Sequence, residues 1–209
     1  MKTVIFDFDG TLADTFVFAL EIANKYAAKY HLGQFTPDDL EKMKKLSLAE
    51  IVKKYKISWF NLIRMVLTSR REITARLEEI NTFPGLPEMM KRLHEEGYQI
   101  AVVSTNSKKN IDYFVNKYFP DDVSIIHTSL NPFNKDMILR KLLTKFDIQL
   151  KDALYVGDEI RDIDAAKGAG IKVISVDWGY NSKTYLKEKN PIVVSSSKAL
   201  YETIVKLFK

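Results

Sequence analysis

Four aspartates, in two pairs far apart along the chain, are the residues with the most chemistry to offer. Asp7 and Asp9 stand in Asp7-Phe8-Asp9-Gly10-Thr11, and Asp158 and Asp162 stand in Gly157-Asp158-Glu159-Ile160-Arg161-Asp162. Between them come the hydrogen-bonding run Ser104-Thr105-Asn106 and a lysine, Lys135. Carboxylates brought to one spot repel one another, and each resists ionising. A divalent cation among them relieves that repulsion. Hard oxygen donors suit Mg²⁺, which takes bonds of about 2.0–2.1 Å and keeps several waters. A cation with open positions is in turn a place for a phosphoryl group. Ser104 or Thr105 could donate to another phosphoryl oxygen, as could the N–H groups that open a following helix. A lysine is needed to hold a nucleophilic carboxylate and to offset negative charge. Lys135 is the candidate because it opens a helix, and Lys108 or Lys109 is the alternative. The three histidines, His31, His94 and His127, do not fall at a strand end facing these acids, and there is no cysteine. Zinc is therefore not expected, and thiol nucleophiles and disulfides are excluded.

The elements that must position these groups follow from hydrophobic periodicity. Val4-Ile5-Phe6 reads as a buried strand that stops at Asp7. Over 14–81 the spacing turns helical. Gly33 is a stop signal, Thr36-Pro37 an N-cap with proline at the first helical position, Ser47-Leu48-Ala49-Glu50 a capping box, and 58–79 one long helix. Phe83-Pro84-Gly85-Leu86-Pro87 ends the insert. Helix and strand then alternate: helices over 88–96, 108–118, 135–146, 160–168 and 198–208, and strands over 100–103, 123–126, 153–156 and 173–176, with a short edge strand at 192–194. Apolar strands alternating with helices imply an α/β fold, a parallel sheet covered on both faces. Ligands of such sheets sit beyond the carboxyl ends of the strands. Asp7 and Asp9, Ser104 to Asn106, and Asp158 all fall there.

Composition narrows the classes. The 209 residues are 46% hydrophobic and 28% charged, an ordinary globular balance that excludes intrinsic disorder. The length fits one domain with a sizeable insert. No apolar run approaches the ~20 residues of a membrane helix, and Asp7 and Asp9 cut short the signal-like opening Met1 to Phe6. The net charge of +5 is spread over many segments, so nucleic-acid binding, which needs a concentrated basic face, is not expected. A reducing cytoplasm is the expected compartment, and the partner a small phosphorylated metabolite, with a monomer or dimer as the assembly.

Asp7-Phe8-Asp9-Gly10-Thr11, Val102-Val103-Ser104-Thr105-Asn106, Lys135 and Gly157-Asp158 through Asp162, in that order, resemble the four motifs of the haloacid dehalogenase superfamily. Ala165-Ala166-Lys167-Gly168-Ala169-Gly170 and Trp178-Gly179-Tyr180 are similar to its phosphoglycolate phosphatase-like branch. The resemblance implies a Rossmann-like three-layer core over 1–14 and 83–209, with an α-helical cap over 15–82 hinged near Thr15 and 81–83. It implies a Mg²⁺-dependent phosphatase of small phosphomonoesters, such as phosphoglycolate or a sugar phosphate. Asp7 would form an aspartyl-phosphate, and Asp9 would be acid and then base, giving its backbone carbonyl to the metal. Ser104, helped by Thr105 and Asn106, would bind the phosphoryl group, Lys135 would stabilise Asp7, Asp158 would ligate Mg²⁺, and Asp162 would support it or orient Lys135. An acid at position 9 favours phosphoryl transfer over dehalogenation. The lysine motif departs from the common pattern, since no proline follows Lys135 in Asn134-Lys135-Asp136-Met137.

Rival readings remain open at this point. A sugar phosphomutase needs the same acids, an inorganic pyrophosphatase shares the branch, and a phospho-ligand binder would keep the geometry without turnover. Residue by residue, Asp7 and Asp9 could close an Asx-type turn, Asp158 and Asp162 could serve a helix dipole, Ser104 to Asn106 could cap a helix, and Lys135 could be solvated. Lys44 and Lys45 read as a solvated pair. Tyr55, Trp59, Phe60 and Met65 read as packing within the insert, Trp178 and Tyr180 as loop anchors, and His127 as structural.

Overall fold

The structure is a computed structural model that describes residues 1–30, 33–129 and 134–209; His31 lies outside them. Six strands form one sheet: β1 (Thr3–Phe6), β2 (Gln99–Ser104), β3 (Ile125–Thr128), β4 (Ala153–Gly157), β5 (Lys172–Val176) and β6 (Val193–Val194). Their order is β3-β2-β1-β4-β5-β6, and every pairing is parallel. Helices α5 (Leu86–Glu95), α6 (Lys108–Tyr118), α7 (Lys135–Lys145), α8 (Ile160–Ala169), α9 (Lys183–Lys189) and α10 (Ser197–Leu207) follow the strands. Side chains alternate across a strand, and the core divides accordingly. Val4, Phe6, Ile100, Val102 and Val156 pack with Met90, Phe114 and Leu200 on one face. Ile5, Ala101, Val103 and Tyr155 pack with Leu139, Leu142 and Ile163 on the other. This is a three-layer α/β sandwich of Rossmann type.

The chain runs outward from β1 to β3 on one side, then returns beside β1 and runs outward again through β4, β5 and β6. That reversal opens a crevice at the carboxyl ends of β1, β2 and β4, where ligands of such sheets bind. Register pins the strand ends together: Phe6 pairs with both Val102 and Val156. Asp7, Ser104 and Asp158 therefore come off the sheet side by side.

Among its described residues the insert carries the helices α1 (Phe16–Tyr26), α2 (Pro37–Met43), α3 (Leu48–Lys54) and α4 (Trp59–Ala75) and no strand. Its helix starts follow the sequence signals. Thr36 Oγ1 accepts from Asp39 N at 3.2 Å while the Asp39 carboxylate accepts from Thr36 N at 3.0 Å, and Ser47 and Glu50 repeat the reciprocal pattern at 3.3 and 2.7 Å. The two chain segments that join insert to core are bound to each other: Asp14 N donates to Asn81 O at 2.9 Å, and Thr82 Oγ1 donates to Leu12 O at 2.8 Å.

Four details differ from the expectations. The long helix of the insert stops at Ala75, and a separate 3₁₀ turn, Leu77–Glu79, continues the chain. β3 sits two residues further along than the apolar run 123–126, because its ladder with β2 runs from Ala101↔Ile125 to Ser104↔Thr128. α9 carries one fully buried residue, Leu186, and so shows little apolar stripe to read. Trp59 and Phe60 are not buried in the insert; they are 57% and 67% exposed. They occupy the first turn of α4, and it is Leu62 and Ile73 on that helix that are buried.

Candidate active site

Asp7 follows β1, and its N–H extends the ladder by donating to Val156 O at 2.8 Å. Asp158 follows β4, and Asp162 lies in the first turn of α8. All three are buried, and one carboxylate oxygen from each lies within 4.8 Å of the others. Lys135, the first residue of α7, is buried with them. Its Nζ stands 2.9 Å from Asp7 Oδ2 and 2.5 Å from Asp162 Oδ1. The second oxygen of Asp162 accepts from the amides of Asp158 (3.1 Å) and Glu159 (2.9 Å), which open α8. The positive end of a helix thus holds Asp162, Asp162 holds Lys135, and Lys135 holds Asp7.

The electrostatics of the cluster are unbalanced. Burial pushes Asp7 up to about 6 despite Lys135. Burial and then the charge of Asp7 push Asp9 to about 6. Asp158 rises well above the carboxylate range through burial, with Glu159, Asp162 and Asp7 adding to it. Only Asp162 goes down: burial opposes this, but Lys135 and Arg161 outweigh it. Asp7 Oδ2 accepts no directed hydrogen bond among the described residues, although the Lys135 ammonium is close by. Buried oxygen donors, short of positive charge, fit a hard divalent cation.

Asp158 is held rigidly. Thr11 Oγ1 donates to its Oδ1 and the Tyr180 amide to its Oδ2, each at 2.7 Å. Two glycines leave room for this carboxylate. Gly10 has φ +79°, and a Cβ on either Gly10 or Gly179 would strike Asp158 Oδ2. The variant Gly10→Ala is therefore expected to lose more than about 1 kcal/mol of stability, from the positive φ alone, and to respond less to Mg²⁺. Thermal melts with and without the ion would check both; an unchanged melting temperature and response would contradict the close packing at Asp158.

Asp9 faces a different set of partners. Asn106 Nδ2 donates to Asp9 Oδ1 at 3.1 Å, and Ser104 Oγ approaches Oδ2 at 3.5 Å. Ser104 Oγ accepts from Asn106 N at 2.9 Å. Asn106 is oriented from behind, because its Oδ1 accepts from Ser107 N (2.8 Å) and Asn110 Nδ2 (2.9 Å). Asn110 in turn accepts from Thr74 Oγ1 of α4 at 2.8 Å. The cap of α6 is Ser107, whose hydroxyl accepts from Asn110 N, so Ser104, Thr105 and Asn106 are not that cap. Thr105 and Asn106 line, together with Asp9, a cavity of about 330 Å³ between the insert and the sheet edge.

Of the eight expected site residues, Asp7, Asp158, Asp162 and Lys135 meet in one buried cluster. Asp9, Ser104 and Asn106 form an adjoining group, and Thr105 joins it at the cavity. The alternative lysine, Lys108, is exposed and bound to Asp112 of its own helix at 2.7 Å, and Lys109 is exposed. Lys44 pairs with Glu41 at 3.0 Å, and its backbone carbonyl, not its charge, reaches the core by accepting from Ser182 N at 2.8 Å. Trp178 Nε1 donates to Thr11 O at 3.1 Å, and Tyr180 packs edge-on against Phe16, so both anchor loops. Tyr55 packs on Phe35, and Met65 faces the cavity.

Several residues have parts that no sequence pattern pointed to. Arg161 lines the cavity, bound to Glu159 Oε1 at 2.5 Å, and the charges of Asp7 and Asp162 act on it. Arg70 of α4 also lines it, donating through Nη2 to Ser129 O at 3.1 Å, while its Nε is buried without a partner among the described residues. Arg161 stands inside the fourth motif and Arg70 within the long helix of the insert, and neither position shows what its side chain faces. Thr11 and the Tyr180 amide were inside or beside recognisable motifs, but their bonds to Asp158 depend on loop conformation.

Comparison with known proteins gives a consistent assignment. A phosphoglycolate phosphatase of Synechococcus elongatus is 28% identical over 187 residues, covering 89% of this chain and 88% of that protein. The pyrophosphatase PpaX of Bacillus cereus is 25% identical, covering 91% and 90%. The crystal structure of a predicted phosphatase from Clostridium acetobutylicum superposes with a TM-score of 0.83 over 98% of both chains at 19% identity, a likeness of fold. The family profile described as haloacid dehalogenase-like hydrolase matches residues 4–176, and with that span covering both acidic motifs and the helical insert between them, the chain belongs to the haloacid dehalogenase-like hydrolases.

Proposed function

We propose that the protein is a Mg²⁺-dependent phosphatase that hydrolyses small phosphomonoesters through an aspartyl-phosphate on Asp7. The observation that carries this is the Lys135 ammonium, buried between Asp7 and Asp162 with Asp158 beside them. An aspartate fixed in this way can attack phosphorus. Asp7, Asp158 and the backbone carbonyl of Asp9 would hold the cation, and Asp162 stands within reach of the same place. When bound, Mg²⁺ offsets charge on the phosphoryl oxygens.

The chain's own groups account for the rest. An Asp7 oxygen forms a bond to phosphorus, and the ester P–O bond breaks. Asp9, raised to about 6 and so able to carry a proton near neutrality, gives that proton to the leaving oxygen. Asp9 then takes a proton from water as the water attacks phosphorus, and the P–O bond to Asp7 breaks, releasing inorganic phosphate. Ser104, Thr105 and Asn106 bind the phosphoryl oxygens. The insert over 15–82 acts as a cap on the core of 1–14 and 83–209 and excludes bulk water. Among the described residues no helix is long and apolar enough to cross a membrane, which suits a substrate met in water.

The test is phosphate release from a panel of phosphorylated metabolites, with Mg²⁺ and with EDTA. Release that needs the ion supports the reading. An isomerised sugar phosphate without release would mean a mutase, preference for inorganic pyrophosphate a pyrophosphatase, and binding without release a non-catalytic protein. The ion should also stabilise the fold, and more so at pH 8 than at pH 5. Asp7 and Asp158 are shifted upward, so below about pH 6 the cation must displace protons. A Mg²⁺-induced rise in melting temperature that was equal at both pH values would count against these ligands.

A further inference from the structure

The cavity over Asp9 is apolar along most of its wall. Leu20 of α1, Leu40 of α2, Leu48 and Ile51 of α3, and Leu62 and Met65 of α4 line it, and Asp9, Thr105 and Asn106 form its polar end. Its volume, about 330 Å³, lies within the range of ligand pockets, about 300–1,000 Å³. Protein interiors hold few voids larger than a water molecule. The helices around it are short of packing in a matching way. An amphipathic helix normally buries its apolar stripe, yet α3 has no fully buried residue, and Leu48 and Ile51 remain half-buried against the cavity.

We infer that this site takes phosphomonoesters whose alcohol carries an apolar alkyl or aryl body, seated in the cavity with its phosphoryl group at Asp9 and Asn106. This rests on the phosphatase reading and narrows it. A second anion on the substrate, such as a carboxylate or another phosphoryl group, is poorly served here. Arg161 is already bound by Glu159, and Arg70 is partly committed to the Ser129 carbonyl. The unpartnered Arg70 Nε, at the junction of the apolar wall and the polar end, suits one oxygen of the phosphate ester.

The experiment is kcat/KM for the full chain with Mg²⁺ on n-alkyl phosphates from methyl to hexyl, alongside phenyl phosphate, 2-phosphoglycolate and pyrophosphate. The expected result is a rise of up to about fourfold per methylene, the worth of burying each one, with hexyl and phenyl phosphate ahead of phosphoglycolate and pyrophosphate. Ala23 also lines the cavity, and the variant Ala23→Phe should lower the hexyl-to-methyl ratio by about tenfold or more, since a filled cavity forfeits several such burials. The parent series decides the matter even if that variant fails to fold. Rates that are flat along the series, or highest for phosphoglycolate, overturn this inference and leave the phosphatase reading standing, whereas rates highest for pyrophosphate mean a pyrophosphatase and overturn both. Release from none of the compounds overturns both.

Discussion

Asp7→Asn is expected to fold as the parent does and to release phosphate about 10⁶-fold more slowly, the scale of loss seen when a covalent nucleophile is removed. The two halves of that result test different things. Asp7 belongs to a cluster with too little positive charge, and burial raises its pKa to about 6. A carboxylate whose pKa is raised on folding weakens the fold once pH exceeds that value. Removing its charge should therefore leave the melting temperature at pH 8 without Mg²⁺ no lower than the parent's. The same change should shrink the stabilisation by Mg²⁺, because a ligand has gone. Phosphate release with p-nitrophenyl phosphate, together with thermal melts, would measure both. Parent-like turnover would show that another group attacks phosphorus.

Lys135→Met should be the most destabilising of the single changes considered. Lys135 and Asp7 have side chains 4% and 3% exposed, and Asp162 1%. Removing the ammonium leaves two buried carboxylates that share only the charge of Arg161. Breaking a buried pair in this way costs about 3–5 kcal/mol. The Lys108–Asp112 pair is as short, at 2.7 Å, but its side chains are 64% and 40% exposed, and Lys108→Met should cost about 1 kcal/mol or less. Denaturant unfolding of the two variants gives the comparison directly. Equal losses would mean that Lys135 is not the electrostatic keystone of the cluster. Turnover should also fall sharply in Lys135→Met alone, since Asp7 then loses the ammonium that stands 2.9 Å from its Oδ2.

The parts of this account legible in the sequence were those governed by one-dimensional patterns. Val4-Ile5-Phe6 and Ala153 to Val156 are short apolar runs that end at acids, and the strand-end rule for parallel sheets brings those acids together without any knowledge of strand order. Thr36 and Ser47 announce helix starts through side chains three residues away. What stayed hidden depends on the third dimension. The bond from the Tyr180 amide to Asp158 comes from a loop that returns across the sheet edge. Arg70 and Arg161 stand among other charged residues in the sequence, and nothing in that pattern shows that both side chains turn toward the cavity. Trp59 and Phe60 look like packing because large apolar rings usually pack, yet they open α4 and remain exposed. The cavity itself leaves no local signature, since it is a space among four helices and one sheet edge.

The most direct measurement of the central claim is to quench the enzyme in acid during turnover, digest it and weigh the peptide that contains Asp7. This peptide should be heavier by one phosphoryl group in the parent with Mg²⁺, and unmodified in Asp7→Asn or with EDTA. Steady turnover with no adduct, or an adduct on any other residue, would contradict it.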